Sequence, residues 1–222
     1  MRERLGLDKV LAWSCGFSCL LMVASAHADA VDDGYFAAKL MLGVAGEAEF
    51  EAEAGPSVSS DLELTYGAGV QYQHPLHEHF SLGGQVALRS WQTEAGDNAN
   101  ADRNLLLDVA LVPAARVELD HDAELYLAVP VGLALDFWGD DGFNTGSEVV
   151  SAEVSTGVGL GVAFMLGARF ALSDGFGLLG ELGYELHAFS HTVTAMAVGA
   201  EAETDFDVSM GQLAINLGAF FY

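Results

Sequence analysis

The chain has 222 residues, of which 51% are hydrophobic, and its formal net charge is −24. Such an acidic chain lacks the basic surface that binding to nucleic-acid phosphates requires, so we expect no nucleic-acid partner. The length is enough for a single domain.

A cleavable secretory signal is predicted for residues 1–28. Basic residues open the chain, an apolar run covers residues 10–24, and the small residues Ala26 and Ala28 precede Asp29. The apolar run is shorter than the roughly 20 residues of a membrane-spanning helix. Both cysteines, Cys15 and Cys19, lie in this segment, so the remaining domain, residues 29–222, is predicted to contain no disulfide.

Alternation of large apolar residues with small or polar ones predicts β-strands throughout residues 29–222. The clearest stretch is 124–138, ELYLAVPVGLALDFW, whose length suits a tilted membrane strand rather than a short soluble one. The predicted strands cover 36–50, 61–74, 79–92, 104–119, 124–138, 153–172, 175–190 and 209–222.

The connections between these strands alternate between long and short. Long connections are predicted at 51–60, 93–103, 139–152 and 191–208, and short ones at 74–78, 120–123 and 173–175. This layout predicts an all-β fold, a closed up-and-down antiparallel transmembrane β-barrel of eight strands. Pro113 and Pro130 each remove a backbone donor from neighbouring strands, so a bulge or kink is expected there.

The charged residues of the predicted strands share one parity, opposite the large apolar side chains. The same parity carries many glycines and alanines, which fit the narrow interior of an eight-stranded barrel. Aromatic residues form two groups on the apolar parity, as expected for two membrane interfaces, so we expect the apolar face to contact lipid. A soluble lipid-carrying barrel would have the opposite orientation. The charges predicted to point inward are Lys39, Glu47, Glu49, Asp61, Glu63, Arg89, Asp108, Arg116, Glu118, Glu124, Asp136, Glu153, Arg169, Glu181 and Glu185.

The last predicted strand, GQLAINLGAFFY, resembles the C-terminal assembly signal of outer-membrane barrels. Leu213, Leu217 and Phe221 lie on the lipid-facing parity, and Gly218 precedes the final aromatic residues. Members of the family commonly end on the lipid-facing aromatic residue, whereas here Tyr222 follows Phe221. The domain as a whole resembles the small eight-stranded barrels of the OmpA, OmpX and OmpW type. The resemblance implies a monomer in the bacterial outer membrane with both termini periplasmic. It also implies contact with outer-membrane lipid, assembly by the barrel-assembly machinery and periplasmic chaperones, and no cofactor.

The inward charges need partners because a lone buried charge is costly. Symmetric hairpins would place Arg89 opposite Asp108 and Asp108 opposite Asp136, with Glu63 within reach. Toward the short turns, Arg116 and Arg169 are expected to meet acids of neighbouring strands, with Lys39 joining from the first strand. The predicted structural network comprises Lys39, Glu63, Arg89, Asp108, Arg116, Glu118, Glu124, Asp136, Arg169, Glu181 and Glu185.

Two patterns suggest metal binding, and in both the simpler interpretation is favoured. His74, His77 and His79 lie close together in HPLHEHF, but no fourth ligand is apparent nearby, so a solvated turn is expected. The acidic loop 139–148 lacks the ligand spacing of an EF-hand, so a solvated loop is expected there too. We therefore predict no metal site.

His187 and Ser190, with Glu181 and Glu185, resemble the Ser/His/acid set of membrane lipid deacylases. Three residues apart in a strand, the first two side chains would point to opposite faces, which argues against a catalytic pair. We expect a non-enzymatic barrel with a structural or surface-display role and a closed polar interior. The alternative is a narrow passage for small apolar molecules, similar to the OmpW-like barrels, and a lipid-modifying enzyme ranks third.

Overall fold

The computed structural model describes residues 34–52, 55–93, 103–120, 122–138, 151–197 and 200–222. The signal peptide predicted for residues 1–28 and the loop 139–148 lie outside them. No helix among the described residues is long and apolar enough to cross a membrane. The strands are β1 (Tyr35–Ala52), β2 (Val58–Leu62), β3 (Thr65–His77), β4 (Phe80–Trp91), β5 (Asn104–Asp120), β6 (Ala123–Ala128), β7 (Val131–Phe137), β8 (Ser151–Val154), β9 (Gly157–Ser173), β10 (Phe176–Ala197) and β11 (Ala200–Phe221).

These eleven segments form a closed ring of eight strands, since three of the eight strands are each divided into two segments. The interrupted strands are β2 with β3, β6 with β7, and β8 with β9. Each strand pairs antiparallel with the next along the chain, and β1 closes the ring on β11 through pairs from Phe36–Phe221 to Ala52–Phe206. Closure leaves no row of unpaired backbone groups along the wall, which is what a sheet in lipid requires.

The interruption between β6 and β7 lies at Val129 and Pro130, where the two prolines led us to expect an irregularity. The Val129 N–H still donates to the Pro113 carbonyl at 3.0 Å, and the Ala163 N–H donates to the Pro130 carbonyl at 2.9 Å. The wall therefore stays connected on both sides of a position that cannot donate.

The two faces of the ring differ as the alternation predicts. On β7, Leu133 is 58% exposed while its neighbour Ala134 is fully buried. Aromatic side chains lie on the outer face near the short turns, where Phe36 contacts Tyr72 and Phe176 contacts Phe221. Other outward rings lie further from these turns: Tyr66, Phe137, Phe164 and Tyr184. We call the end with the short turns the turn end and the opposite end the loop end.

A bulge in β1 reverses the expected faces of two acidic residues. Ala45 has a φ of 50°, and the pairing with β11 shifts between Val44 and Glu47. Beyond the bulge Ala48 is buried, so Glu47 and Glu49 are exposed on the outer face rather than enclosed. A bulge adds one residue and therefore changes the parity of everything after it.

The long connection predicted at 191–208 is wrong, because most of it is strand. β10 and β11 stay paired from Phe176–Phe221 to Ala197–Ala200. At the loop end they join β8, the last residues of β1 and β2, and we call these five strands the loop-end sheet. In residues 191–208 the outer side carries polar residues such as Thr, Glu and Asp instead of large apolar ones. The apolar alternation used to predict strands therefore ends before the strands do.

A new charge on the outer face of the apolar band should impair assembly, whereas the same charge on the loop-end sheet should not. Leu133→Arg places a guanidinium at a position 58% exposed within the band, at an expected cost of about 2–4 kcal/mol at the bilayer midplane. Ser59→Arg, at an exposed position of β2 that pairs with Glu49 on the outer side of the loop-end sheet, is the control. Refolding into lipid vesicles, followed by heat-dependent gel mobility, measures both. Equal yields for the two variants would contradict the assigned outer face.

Candidate functional site

The interior of the barrel is the candidate functional site, and glycines make the room for its large side chains. A Cβ on Gly167 would lie 2.3 Å from the Tyr126 ring, and a Cβ on Gly161 would lie 2.9 Å from the His187 ring. Real Cβ atoms do not come this close to other atoms, so any larger residue at these two positions would clash with the neighbouring ring. The sequence therefore places small residues on one strand opposite large inward residues on its neighbour.

At the middle of the barrel, Glu181 collects donors from three other strands. Its Oε1 accepts from Lys39 Nζ at 2.7 Å and from the Tyr126 hydroxyl at 2.8 Å, and its Oε2 accepts from Asn216 Nδ2 at 2.9 Å. Lys39 Nζ also donates to Gln71 Oε1 at 2.5 Å. All five side chains are buried. A buried ion pair with this many additional hydrogen bonds is well placed to offset its desolvation cost.

The second ionic group, one level toward the loop end, centres on Arg89. This guanidinium pairs with Glu185 and lies 3.4 Å from Asp108 Oδ2, and all three residues are buried. His187 Nε2 lies 3.1 Å from Asp108 Oδ1, and Gln212 Nε2 donates to Glu185 at 3.3 Å. Two carboxylates share one guanidinium, and His187 and Gln212 add polar contacts to these carboxylates.

At the loop end the interior becomes aromatic around one buried carboxylate. Asp136 is fully buried, and its Oδ1 accepts from Trp91 Nε1 at 2.7 Å. Its Oδ2 lies 3.2 Å from His191 Nε2, which Trp138 Nε1 also approaches at 3.2 Å. The rings of Phe189, Phe206 and Phe50 pack against this group. The packed rings give the interior at the loop end an apolar lining.

The third ionic group, near the turn end, contains Arg116, Arg169 and Glu124. Arg169 Nη2 donates to Glu124 Oε2 at 2.6 Å, and Arg116 Nη1 lies 3.7 Å from the same oxygen. The guanidinium of Arg169 also lies 4.2 Å from the centre of the Tyr35 ring, in a cation–π contact.

The structure separates the expected ladder of Arg89, Asp108 and Asp136 into two groups. Arg89 lies opposite Leu106, Asp108 opposite Ala134 and Asp136 opposite Leu106, so the register differs by two residues from the symmetric hairpins we assumed. Arg89 still reaches Asp108 diagonally. Asp136, however, lies one level nearer the loop end, with Trp91 and His191.

Two acids of the expected network lie outside the interior. The Glu63 side chain is 41% exposed and pairs with Arg103 at 3.6 Å. It lies in the interruption between β2 and β3, where the strand no longer directs it into the barrel. Glu118 lies near the end of β5, next to the short turn that follows, and its side chain is exposed because the barrel wall no longer encloses it there. Asp61 and Glu153 are exposed as well.

Sequence reasoning missed the uncharged polar members of the interior. Gln71, Gln85, Gln212 and Asn216 are buried on the same parity as the charges, and each contacts a charged side chain. The signal was present, because a neutral polar residue on the inward parity of a barrel strand also needs a buried partner. His191 was missed because it lay in a predicted loop.

The structure also places the residues of the other sequence motifs. His187 points inward, whereas Ser190 is exposed and donates to Asp207, so the two do not form a catalytic pair. His74, His77 and His79 are all exposed at the turn end. On β11 the outward residues are Leu213, Leu217 and Phe221. Gly218 fits against the Ala38 backbone, and the Tyr222 ring contacts Phe220.

The family model that describes the outer membrane protein beta-barrel domain matches residues 15–221. The solved structure of outer membrane protein AlkL in DMPC bilayers is similar at a TM-score of 0.50 and 18% identity, over 88% of this chain and 93% of that one. The outer membrane protease OmpT from Escherichia coli is similar at a TM-score of 0.50 and 6% identity, over 89% of this chain and 99% of that one. Neisserial surface protein A is similar at a TM-score of 0.45, 13% identity, 83% of this chain and 95% of that one. No curated protein sequence matches the chain. These likenesses concern the fold.

Removing Arg89 should destabilise the barrel far more than removing Arg103. Arg89→Ala leaves Glu185 and Asp108 buried without their cation, at an expected cost of about 3–5 kcal/mol. Arg103→Ala removes a partly exposed guanidinium at the loop end, whose ion pair contributes about 0–1 kcal/mol and whose hydrogen bonds to Ser90 and the Leu64 carbonyl leave no charge buried without a partner when they are lost. The midpoint of heat-dependent gel mobility measures both variants. Equal shifts would show that the interior pairs do not hold the barrel together.

Proposed function

The chain belongs to the family of outer-membrane β-barrel proteins, and we propose that it is a closed, non-enzymatic member that displays its loop-end sheet at the bacterial surface. Short turns at one end and longer connections at the other are typical of barrels whose turns face the periplasm. In this proposal the turn end, with both Gly34 and Tyr222, lies in the periplasm. The barrel functions as a monomer embedded in outer-membrane lipid.

The observation that carries the proposal is the filled interior. Three ionic groups, around Glu181, Arg89 and Glu124, follow one another along the barrel, and the rings of Trp91 and Trp138 close the loop end. Side chains of an eight-stranded barrel are able to fill its interior completely. A rigid, packed cylinder is suited to holding a display surface rather than to passing solutes.

The display surface is the outer side of the loop-end sheet, which is strongly acidic. Its exposed acids among the described residues are Glu47, Glu49, Glu51, Asp61, Glu153, Glu203, Asp205 and Asp207. Two of them, Asp205 and Asp207, accept hydrogen bonds from Thr192 and Ser190 at 2.8 and 2.5 Å across the β10–β11 pair. Such pairs order the side chains on a surface whose contacts we expect to be polar.

The outward residues of β11 fit recognition during assembly. Leu213, Leu217 and Phe221 form an apolar row on the last strand, and that strand closes the ring on β1. In the proposal this row is what the barrel-assembly machinery contacts before closure, after periplasmic chaperones have delivered the chain.

A second candidate is a narrow passage for small apolar molecules, and one observation favours it. A cavity of about 530 Å³ is lined by the outward residues Leu160 and Leu186 and also by the inward residues His187 and Met210. It lies next to the aromatic group at the loop end. A small apolar solute that entered between the rings would have a way out sideways through the wall.

Conductance measurements separate the closed barrel from a channel. We expect the refolded barrel in a planar lipid bilayer to give a steady closed baseline, because three ionic groups and the aromatic group block the interior. A wide porin in the same membrane serves as the positive control. Steady single-channel openings of the wild-type barrel would contradict the proposal.

Tryptophan emission tests the apolar passage, which conductance does not detect. Trp91 and Trp138 lie in the aromatic group and are the two tryptophans after residue 28. In the closed barrel we expect bromobenzene, an apolar heavy-atom quencher, to reduce their emission only in proportion to its concentration, without saturation. Quenching that saturates in the wild type and disappears in Leu106→Phe, which narrows the interior without adding a tryptophan, would support the passage instead.

A further inference from the structure

The turn end of the barrel contains a cavity of about 510 Å³. It opens among the short turns, and residues of several strands line it, including Tyr35 on β1, Arg116 on β5, Glu124 on β6, Arg169 on β9 and Phe220 on β11. A volume of this size lies in the range of small-molecule sites. The ionic groups around Glu181 and Arg89 do not line it, so it is separate from the filled part of the interior.

The floor of this cavity has an excess of positive charge. Arg169 and Arg116 share a single carboxylate, Glu124, whose Oε2 lies 2.6 and 3.7 Å from their nitrogens. The next acid inward, Glu181, is already paired with Lys39 at 2.7 Å. Two guanidiniums share one carboxylate, and no second carboxylate among the described residues forms an ion pair with either of them.

Donors on these guanidiniums are also unused. Arg169 is 7% exposed, and its buried Nη1 has no hydrogen-bond acceptor among the described residues. The buried Nε of Arg116 lacks one too, although its Nη2 donates to the His77 carbonyl at 3.3 Å. A buried donor of a charged group is costly to leave unpaired, so an oxygen from outside the chain is favoured here.

The aromatic residues hold Arg169 in place for such a ligand. Its guanidinium lies 4.2 Å from the centre of the Tyr35 ring and 5.3 Å from that of Phe220, while Glu124 holds Nη2. With one edge bound and one face covered, the guanidinium loses little freedom on binding. Preorganisation of this kind lowers the entropic cost of taking up an anion.

The mouth of the cavity carries the opposite charge. Glu118, Asp122 and Asp174 line it, and all three residues are exposed. These acids disfavour an inorganic dianion but attract a cationic group on the same ligand. A carboxylate matches the single excess charge and the planar fork of arginine.

We propose that the turn-end cavity binds a small zwitterionic ligand of the amino-acid or short-peptide class. The ligand carboxylate binds Arg169 and Arg116, and its ammonium group lies among the acids of the mouth. This site goes beyond the proposed display function. The two proposals are independent, because the cavity is at the turn end and the display surface is at the loop end.

Calorimetric titration of the refolded barrel in detergent micelles tests the site with alanyl-alanine, acetate, ethanolamine and inorganic phosphate as separate probes. We expect the dipeptide to bind more tightly than the other three. Arg169→Gln should weaken its binding at least about tenfold, the loss of one charge-assisted interaction. Arg103→Gln, at the loop end, is the matched control and should leave binding unchanged. If Arg169→Gln does not refold, Arg116→Gln, at a partly exposed side chain, should give the same loss.

The acids of the mouth give the second arm of the test. The double variant Asp122→Asn/Asp174→Asn should weaken dipeptide binding and leave acetate binding unchanged or stronger. Acetate or phosphate binding as tightly as the dipeptide in the wild type would overturn the zwitterion. No heat of binding with any carboxylate would overturn the site, and water alone would then satisfy the arginines.

Discussion

Every other feature of this barrel follows from the absence of hydrogen-bond partners for the backbone in lipid. Each N–H and C=O of the wall has to pair with a neighbouring strand, so the sheet must close on itself. The pairing of β1 with β11 achieves this closure. Once the sheet is closed, alternate residues have only two environments, and the chain divides between them: Leu133 faces outward at 58% exposure and Ala134 is enclosed.

Closure also explains why the interior contains so much charge. Polar side chains cannot face the lipid, so they collect inside, where each requires a partner. Glu181 with Lys39, and Arg89 with Glu185 and Asp108, are buried pairs of this kind. The filled middle supports the closed barrel that we propose, while the excess charge on Arg169 and Arg116 is left at the turn end, where a ligand from outside is able to reach it.

The sequence alone was sufficient for the fold class, the number of strands and the short turns, because alternation reports which face of a strand is enclosed. The sequence was not sufficient where one extra residue in a strand changes the face on which the following residues lie. Nothing in the sequence marks Ala45 as a bulge, and that single residue turns Glu47 and Glu49 outward. The register of neighbouring strands was equally hidden, so Asp136 was assigned to Arg89 rather than to Trp91 and His191. Pairing across a long connection depends on the connection's geometry, which composition does not determine.

The orientation of the two faces is tested most directly by methyl NMR of the barrel in bilayers that contain a nitroxide-bearing lipid. Leu133 and Leu160 are 58% and 64% exposed, whereas Met41 and Met165 are 2% and 1% exposed. The account predicts strong broadening of the two leucine methyl signals and little effect on the two methionine methyls. Broadened methionines with unaffected leucines would mean that the faces are reversed, and the account would be wrong.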